Sequence, residues 1–348
     1  MAEYNTCSPI YSKELVTLLN DIFIGFKIKA ECLKGVKYRH FMLFDVALKP
    51  GCRINDITGL SDEIGLIMRS VTPIIVTPVP EEGILRIQAT HCKAEPLHFE
   101  TYYDYVNKNH ELRGKLPFVI GEAFNGDPII MDMALNPHLL VAGSTGSGKS
   151  VFLHTLIANA FKRDDVELYL SDTKKVEFSI YDKEMFSGKI MYSAYDYKTT
   201  LIMLGYLHEE MERRYCILST HNDSMRTPYF SNILVIIDEV SDLILFDKSR
   251  AFEASIVKLA QKARAVGIHV VLATQRPSVD ILTGIIKVNF PARVAFKVSS
   301  KVDSRVILDA SGAESLAGKG DGIINNAAFN FIRFQSTFTN QHEVMKNF

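Results

Sequence analysis

The octapeptide Gly143-Ser144-Thr145-Gly146-Ser147-Gly148-Lys149-Ser150, read with its flanks, restricts this chain more than any other feature. An apolar pentapeptide of strand character, His-Leu-Leu-Val-Ala, runs into it, and residues 151–161 leave it as a helix. A turn of the form G-x-x-x-x-G-K-[ST] between a strand and a helix is built to cradle phosphates. Its glycines let successive backbone N–H groups face one anion, and the helix N-terminus adds a favourable dipole. The expected phosphate contacts run from Gly143 to Val151. Lys149 is expected to reach the β and γ phosphates of ATP, and Ser150 to bind Mg²⁺ through its hydroxyl.

Such a loop implies a parallel sheet, and the downstream sequence supplies one. Apolar strand-like runs at 138–142, 167–170, 233–237 and 269–273 alternate with helical stretches at 151–161, 199–218 and 252–266. That alternation predicts an α/β domain with a largely parallel sheet. The run Ile233-Leu-Val-Ile-Ile ends in Asp238-Glu239, which puts two carboxylates at the C-terminal edge of the sheet, where ligands bind. Asp238 is the candidate for the Mg²⁺ shell and Glu239 the candidate general base for an attacking water. A helix-capping acid pair has the same local appearance; the phosphate loop upstream favours the catalytic reading. A third run, Val270-Val-Leu-Ala, ends in Thr274-Gln275-Arg276-Pro277, where Thr274 or Gln275 is a candidate to sense the γ phosphate or to orient water; a hydrophilic strand-to-loop exit has the same appearance.

Before residue 117 the pattern differs. Residues 1–11 read as a polar lead-in. Ser12 is placed to cap a helix carrying Leu15, Leu18, Leu19, Ile22 and Phe26 at helical spacing. A strand follows at 41–48, a helical stretch at 57–71 with Ser61 as a cap, and short strands at 73–80 and 84–89, where Pro78 and Pro80 favour an edge position or a turn. Residues 12–100 thus read as a small α+β unit, 101–116 as a linker or surface helix, 117–335 as the P-loop domain, and 336–348 as a polar tail.

Composition limits the function classes only loosely. Lys plus Arg is 39 and Asp plus Glu is 40, a net charge of −1, which is not that of a protein that coats nucleic acid. A ring with a positive inner rim remains compatible with it. Cys7, Cys32, Cys52, Cys92 and Cys216 are scattered without a CxxC pair, which points to free thiols in a reducing compartment. No run of about 18 apolar residues and no signal-peptide pattern is present, so the cytoplasm, without direct membrane insertion, is the expected location.

The segment Pro137–Val151 resembles the FtsK/SpoIIIE family of hexameric DNA translocases. So do Met211-Glu-Arg-Arg-Tyr215, Ala263-Arg-Ala-Val-Gly-Ile-His269, the long stretch from Leu272 to Lys287, the stretch from Phe296 to Arg305, and Ala313-Glu-Ser-Leu316. Asp172 and Lys174 fit the pattern after the second core strand. The resemblance implies a RecA-like motor domain at 117–335 and, more weakly, the family's small α domain at 12–95. It implies a ring, a hexamer in the family, with double-stranded DNA in its pore and ATP between neighbouring subunits. An arginine acting across that interface is implied too; by position Arg293 and Arg305 are the candidates, with Arg276 a further one. Arg213 and Arg214 fit the family pattern but also fit a solvated helix face. Lys287, Lys297 and Lys301 fall near loops, without a pattern that assigns them to DNA. The membrane-spanning region and winged-helix domain of the cell-division members have no counterpart in these residues, so the expectation is a stripped-down motor. Two alternatives keep the ATPase and change the cargo: a protein-secretion motor, or a coupling or loading protein that recruits a relaxase, recombinase or replication factor.

Overall fold

The structure, a computed structural model, describes residues 10–90, 96–108, 115–183, 186–220, 230–339 and 344. The lead-in read at 1–11 lies almost wholly outside them. Two sheets organise the chain. The first has the order β1-β2-β3-β5-β4, formed by β1 (Ile10–Tyr11), β2 (Ala30–Lys37), β3 (Phe41–Leu48), β4 (Ile75–Val79) and β5 (Ile84–Thr90), all antiparallel. β4, with Pro78, sits at an edge, where a missing N–H costs no ladder bond.

Helix α1 (Lys13–Gly25) packs on this sheet through Leu19, Ile22 and Phe23, and Ser12 caps it by accepting from the Leu15 amide at 3.2 Å. The helical stretch expected at 57–71 is broken in two, α2 (Ile54–Thr58) and α3 (Ser61–Ile67). Ser61 does not cap α3. It is the first helical residue, and its hydroxyl donates back to the Thr58 carbonyl at 2.8 Å.

The second sheet has ten strands in the order β10-β9-β11-β12-β8-β13-β14-β15-β6-β7. They are β6 (Pro117–Ala123), β7 (Pro128–Asp132), β8 (His138–Ala142), β9 (Val166–Asp172), β10 (Ile190–Ala194), β11 (Asn232–Asp238), β12 (Ile268–Thr274), β13 (Ala292–Phe296), β14 (Asp321–Asn325) and β15 (Ile332–Ser336). From β10 to β13 every neighbouring pair is parallel; from β13 to β7 every pair is antiparallel. The parallel run is the α/β arrangement expected from the alternation of strands and helices.

Its strands are apolar on both faces because both faces are covered. Along β11, Leu234 and Ile236 enter one core, while Ile233, Val235 and Ile237 enter the other. The remaining helices are α4 (Phe99–Lys108), α5 (Lys149–Phe161), α6 (Tyr197–Thr220), α7 (Val240–Phe246), α8 (Ala251–Lys262), α9 (Gly284–Asn289) and α10 (Lys301–Leu308). Helix α5 is buried nearly all round, and Leu153, Leu156 and Ile157 are fully enclosed.

Residues 101–108 form the body of α4, and Phe99 and Tyr102 pack into the core of the large sheet. Beyond β15, Thr337 and Thr339 are buried, and the Phe338 carbonyl accepts from the Phe99 amide at 3.2 Å. The two arginines of α6 separate. Arg213 is exposed and pairs with Glu210. Arg214 is buried and donates to the Ser231 and Val266 carbonyls at 2.8 and 2.7 Å, so it is an internal clamp rather than a solvated face. Among the described residues no helix is long and apolar enough to cross a membrane.

Candidate nucleotide-binding site

Strand register assembles the site. Asp238, at the end of β11, stands beside Asp172, at the end of β9; Thr274, at the end of β12, stands beside Ala142, at the end of β8. All four strands are parallel, so their polar C-terminal residues share one edge. Gly143 opens the phosphate loop there, its amide donating to the Thr274 carbonyl at 3.2 Å.

The loop is anchored at both ends. The Ser144 amide and hydroxyl both donate to the Lys297 carbonyl, at 2.8 and 2.9 Å. From the other side the Lys319 and Gly320 amides donate to the Gly146 and Ser147 carbonyls at 3.3 and 2.8 Å. Gly146 and Gly148 have φ of +76° and +107°, conformations open to glycine. Ser147 is buried and Thr145 exposed, with the Thr145 hydroxyl donating to Gln275 Oε1 at 3.2 Å.

The charged groups come in pairs. Lys149, 3% exposed, forms an ion pair with Asp238, 2% exposed. Burial pushes the Asp238 carboxyl above the usual carboxylate range, and the Lys149 ammonium pulls it back. Glu239 sits at φ +57°, in the left-handed region that non-glycine residues seldom occupy. Its Oε1 accepts from Thr274 Oγ1 at 3.1 Å, from the Gln275 amide at 3.2 Å, and from the Ser241 hydroxyl; its Oε2 lies 3.0 Å from Lys174 Nζ. Burial raises the pKa of Glu239, but these donors outweigh it and hold the group below its ordinary value. It is thus kept anionic and fixed in direction.

The structure therefore brings together Ser144, Thr145, Gly146, Ser147, Gly148, Lys149, Ser150, Asp238, Glu239 and Gln275, all expected from sequence. Val151 lines the same cavity from the start of α5. Arg293 and Arg305 are not brought to it. Arg293 lies on β13 and pairs with Asp309; Arg305 is exposed on α10. Lys287 also pairs with Asp309.

Two contributors were not foreseen. Glu177 accepts from Ser150 Oγ at 2.8 Å, and the Lys319-Gly320 turn holds the loop's backbone. Glu177 follows Asp172 by five residues in a loop already singled out, but nothing in its local sequence marks it. A cavity of about 760 Å³ opens over Lys149 and Ser150, within the range of small-molecule sites (~300–1,000 Å³). Its lining also includes Thr90, the last residue of β5, and Leu97, two residues before α4.

The FtsK/SpoIIIE family matches residues 105–231 and 221–279, which together span half of the chain. The chain belongs to the FtsK/SpoIIIE family. It is 35% identical to the DNA translocase FtsK of Treponema pallidum over 353 residues, covering 96% of this chain and 44% of that protein. It is also 35% identical to the DNA translocase SftA of Bacillus subtilis over 350 residues, covering 94% of this chain and 36% of that protein. The chain thus spans less than half the length of these relatives. Among solved structures, the pCW3 conjugation coupling protein TcpA, in its monomer form with ATPγS, superposes with a TM-score of 0.65 at 18% identity, covering 95% of this chain and 99% of that one. The cytoplasmic domain of the type VII secretion ATPase EccC of Thermomonospora curvata superposes with a TM-score of 0.56 at 22% identity, covering 68% of this chain and 31% of that one. At such identities the likeness is one of fold alone. A FtsK/SpoIIIE P-loop with this geometry is a nucleotide-binding site.

Proposed function

We propose that the chain is an ATP-hydrolysing motor that moves along double-stranded DNA as a ring of identical subunits. The observation that carries this reading is the convergence of Lys149, Ser150, Asp238, Glu239 and Gln275 on one sheet edge, in a chain of this family.

In the proposed reaction the phosphate loop holds the β and γ phosphates by its backbone amides, and Lys149 exchanges Asp238 for phosphate oxygens. Ser150 and Asp238 are the residues that would hold Mg²⁺. Hydroxyl and carboxylate oxygens suit this hard cation, which takes one or two carboxylates plus phosphate oxygens rather than an all-protein cage. The ion would supply charge neutralisation of the phosphate oxygens. Glu239 takes a proton from the water as its oxygen bonds to the γ phosphorus, the bond from that phosphorus to the bridging oxygen breaks, and ADP and phosphate leave. In this reading Gln275, whose side-chain oxygen accepts from the Thr145 hydroxyl and whose amide donates to Glu239, senses the γ phosphate or orients the water.

In this reading either Arg293 or Arg305 supplies charge to a neighbour's phosphates; Arg293 would first have to exchange Asp309, its partner within its own subunit. The hexameric state, the cytoplasmic location and the division into units at 12–100 and 117–335 belong to the same proposal. ATP turnover by the purified chain, compared with Lys149→Ala, tests it. Turnover that survives the substitution contradicts the assigned site.

A further inference from the structure

Glu177 has a better-defined setting than a loop glutamate needs. The loop after β9 is already tied down by one carboxylate. Asp172 Oδ1 accepts the amides of Lys174 and Lys175 at 3.0 and 3.1 Å, and its Oδ2 accepts those of Glu177 and Phe178 at 2.9 and 3.0 Å. The Glu177 side chain is therefore not required to close the loop. It reaches instead to α5. One oxygen accepts from Ser150 Oγ at 2.8 Å, and the other lies 3.5 Å from His154 Nε2.

His154 is buried, and its Nδ1 stands 2.6 Å from the hydroxyl of Tyr181, itself 1% exposed. The imidazole is thus fixed from behind, and it fixes the carboxylate. About a quarter of the Glu177 side chain remains exposed, and it opens into the cavity over Lys149 and Ser150. A negative charge, held on two sides and open on the third, stands one hydrogen bond from the hydroxyl assigned to the cation.

The electrostatic consequence follows from sign alone. A bare triphosphate entering this cavity meets Glu177 as a like charge, whereas a cation on that triphosphate meets it as an opposite one. We infer that Glu177 is a positioning residue for the divalent cation, making nucleotide binding depend on the metal by repelling the metal-free triphosphate and favouring the metal-bearing one. With a cation bound, the Ser150 hydroxyl would turn from Glu177 to the ion, and the Glu177 carboxylate would remain beside it as an opposite charge. This inference rests on the nucleotide-binding reading of the same site.

The test is a fluorescence titration of the full chain with a labelled, non-hydrolysable ATP analogue, in excess Mg²⁺ and again in EDTA. The quantity compared is the ratio of the two affinities. In Glu177→Gln, which keeps shape and the oxygen that accepts from Ser150 but removes charge, that ratio is expected to fall at least about fivefold, through tighter binding in EDTA, weaker binding in Mg²⁺, or both. Glu177→Asp, which restores the charge, is expected to recover part of it. A brace that merely supports α5 would weaken binding equally in both buffers; an unchanged ratio in Glu177→Gln overturns the inference. Unchanged binding in Lys149→Ala, or none by the parent chain, overturns the nucleotide reading and this inference with it.

Discussion

A Cβ placed on Gly148 would lie 2.3 Å from the Gly320 amide nitrogen and 2.7 Å from the Gly320 Cα. The contact is backbone against backbone, so no rotamer change relieves it. Gly148 also sits at φ +107°. The turn at Gly320 in turn donates to the Ser147 carbonyl, so the phosphate loop and the β14 approach are fitted to each other. Gly148→Ala is therefore expected to cost at least about 2 kcal/mol of stability, from positive φ and overpacking together. It should also weaken ATP binding by more than tenfold. Urea denaturation and a nucleotide titration on the same preparation check both.

Arg333 joins the two sheets. It forms a bidentate pair with Asp321 at 2.9 and 2.6 Å, donates to Thr90 Oγ1 at 2.7 Å, and covers the Phe41 ring at 5.0 Å. Arg333 and Asp321 are 4% and 1% exposed, so neither charge has water as a substitute partner. Arg333→Met strands the carboxylate and is expected to destabilise the chain by about 3–5 kcal/mol. Adding Asp321→Asn removes the stranded charge, and the double variant should recover a substantial part of that loss. Equilibrium unfolding of the single and double variants decides it; equal loss in both contradicts the argument.

His138 and His269, on neighbouring strands β8 and β12, give a pH dependence. Burial pushes their pKa values down to about 3 and about 4. Both are neutral in the folded chain, while an unfolded histidine binds a proton below about pH 6.5. The stability they confer is full above that pH and is lost as pH falls toward 4. Each is expected to contribute on the order of 1–2 kcal/mol of destabilisation at pH 5 relative to pH 7.5. His269→Asn should flatten the slope of stability against pH over this window; an unchanged slope would sink the assignment.

Glu239→Gln keeps the shape that accepts from Thr274 and the Gln275 amide but cannot take a proton. ATP affinity is expected to stay within about threefold, while turnover falls by roughly a hundredfold or more. Rapid-filtration binding alongside phosphate release separates the two effects. A parallel loss of both would point to a structural role for Glu239 instead.

The legible parts of the fold are those where local sequence and burial agree. β8, β9, β11 and β12 are apolar runs ending in polar residues, and the same order that marks them as buried places their ends at the site. β2 escaped because Ala-Glu-Cys-Leu-Lys-Gly-Val-Lys does not alternate cleanly, and a register shift between Cys32 and Lys34 explains why. The antiparallel half of the large sheet is short strands whose pairing is decided by distant neighbours, as with β15 beside β6. In the site, Lys149, Ser150, Asp238 and Glu239 are marked by motif, but their pairing is not. Lys174 reaches Glu239 across 65 positions and Glu177 reaches Ser150 across 27, distances that no local pattern spans.

The central claim is ATP hydrolysis coupled to movement on duplex DNA. Its most direct measurement is steady-state ATP turnover with and without long double-stranded DNA at fixed salt, beside Lys149→Ala. The account predicts strong stimulation by the duplex, loss of that stimulation as salt rises, and turnover abolished in the variant. Turnover indifferent to DNA would contradict it, and would shift the reading to a protein cargo or a partner-activated ring.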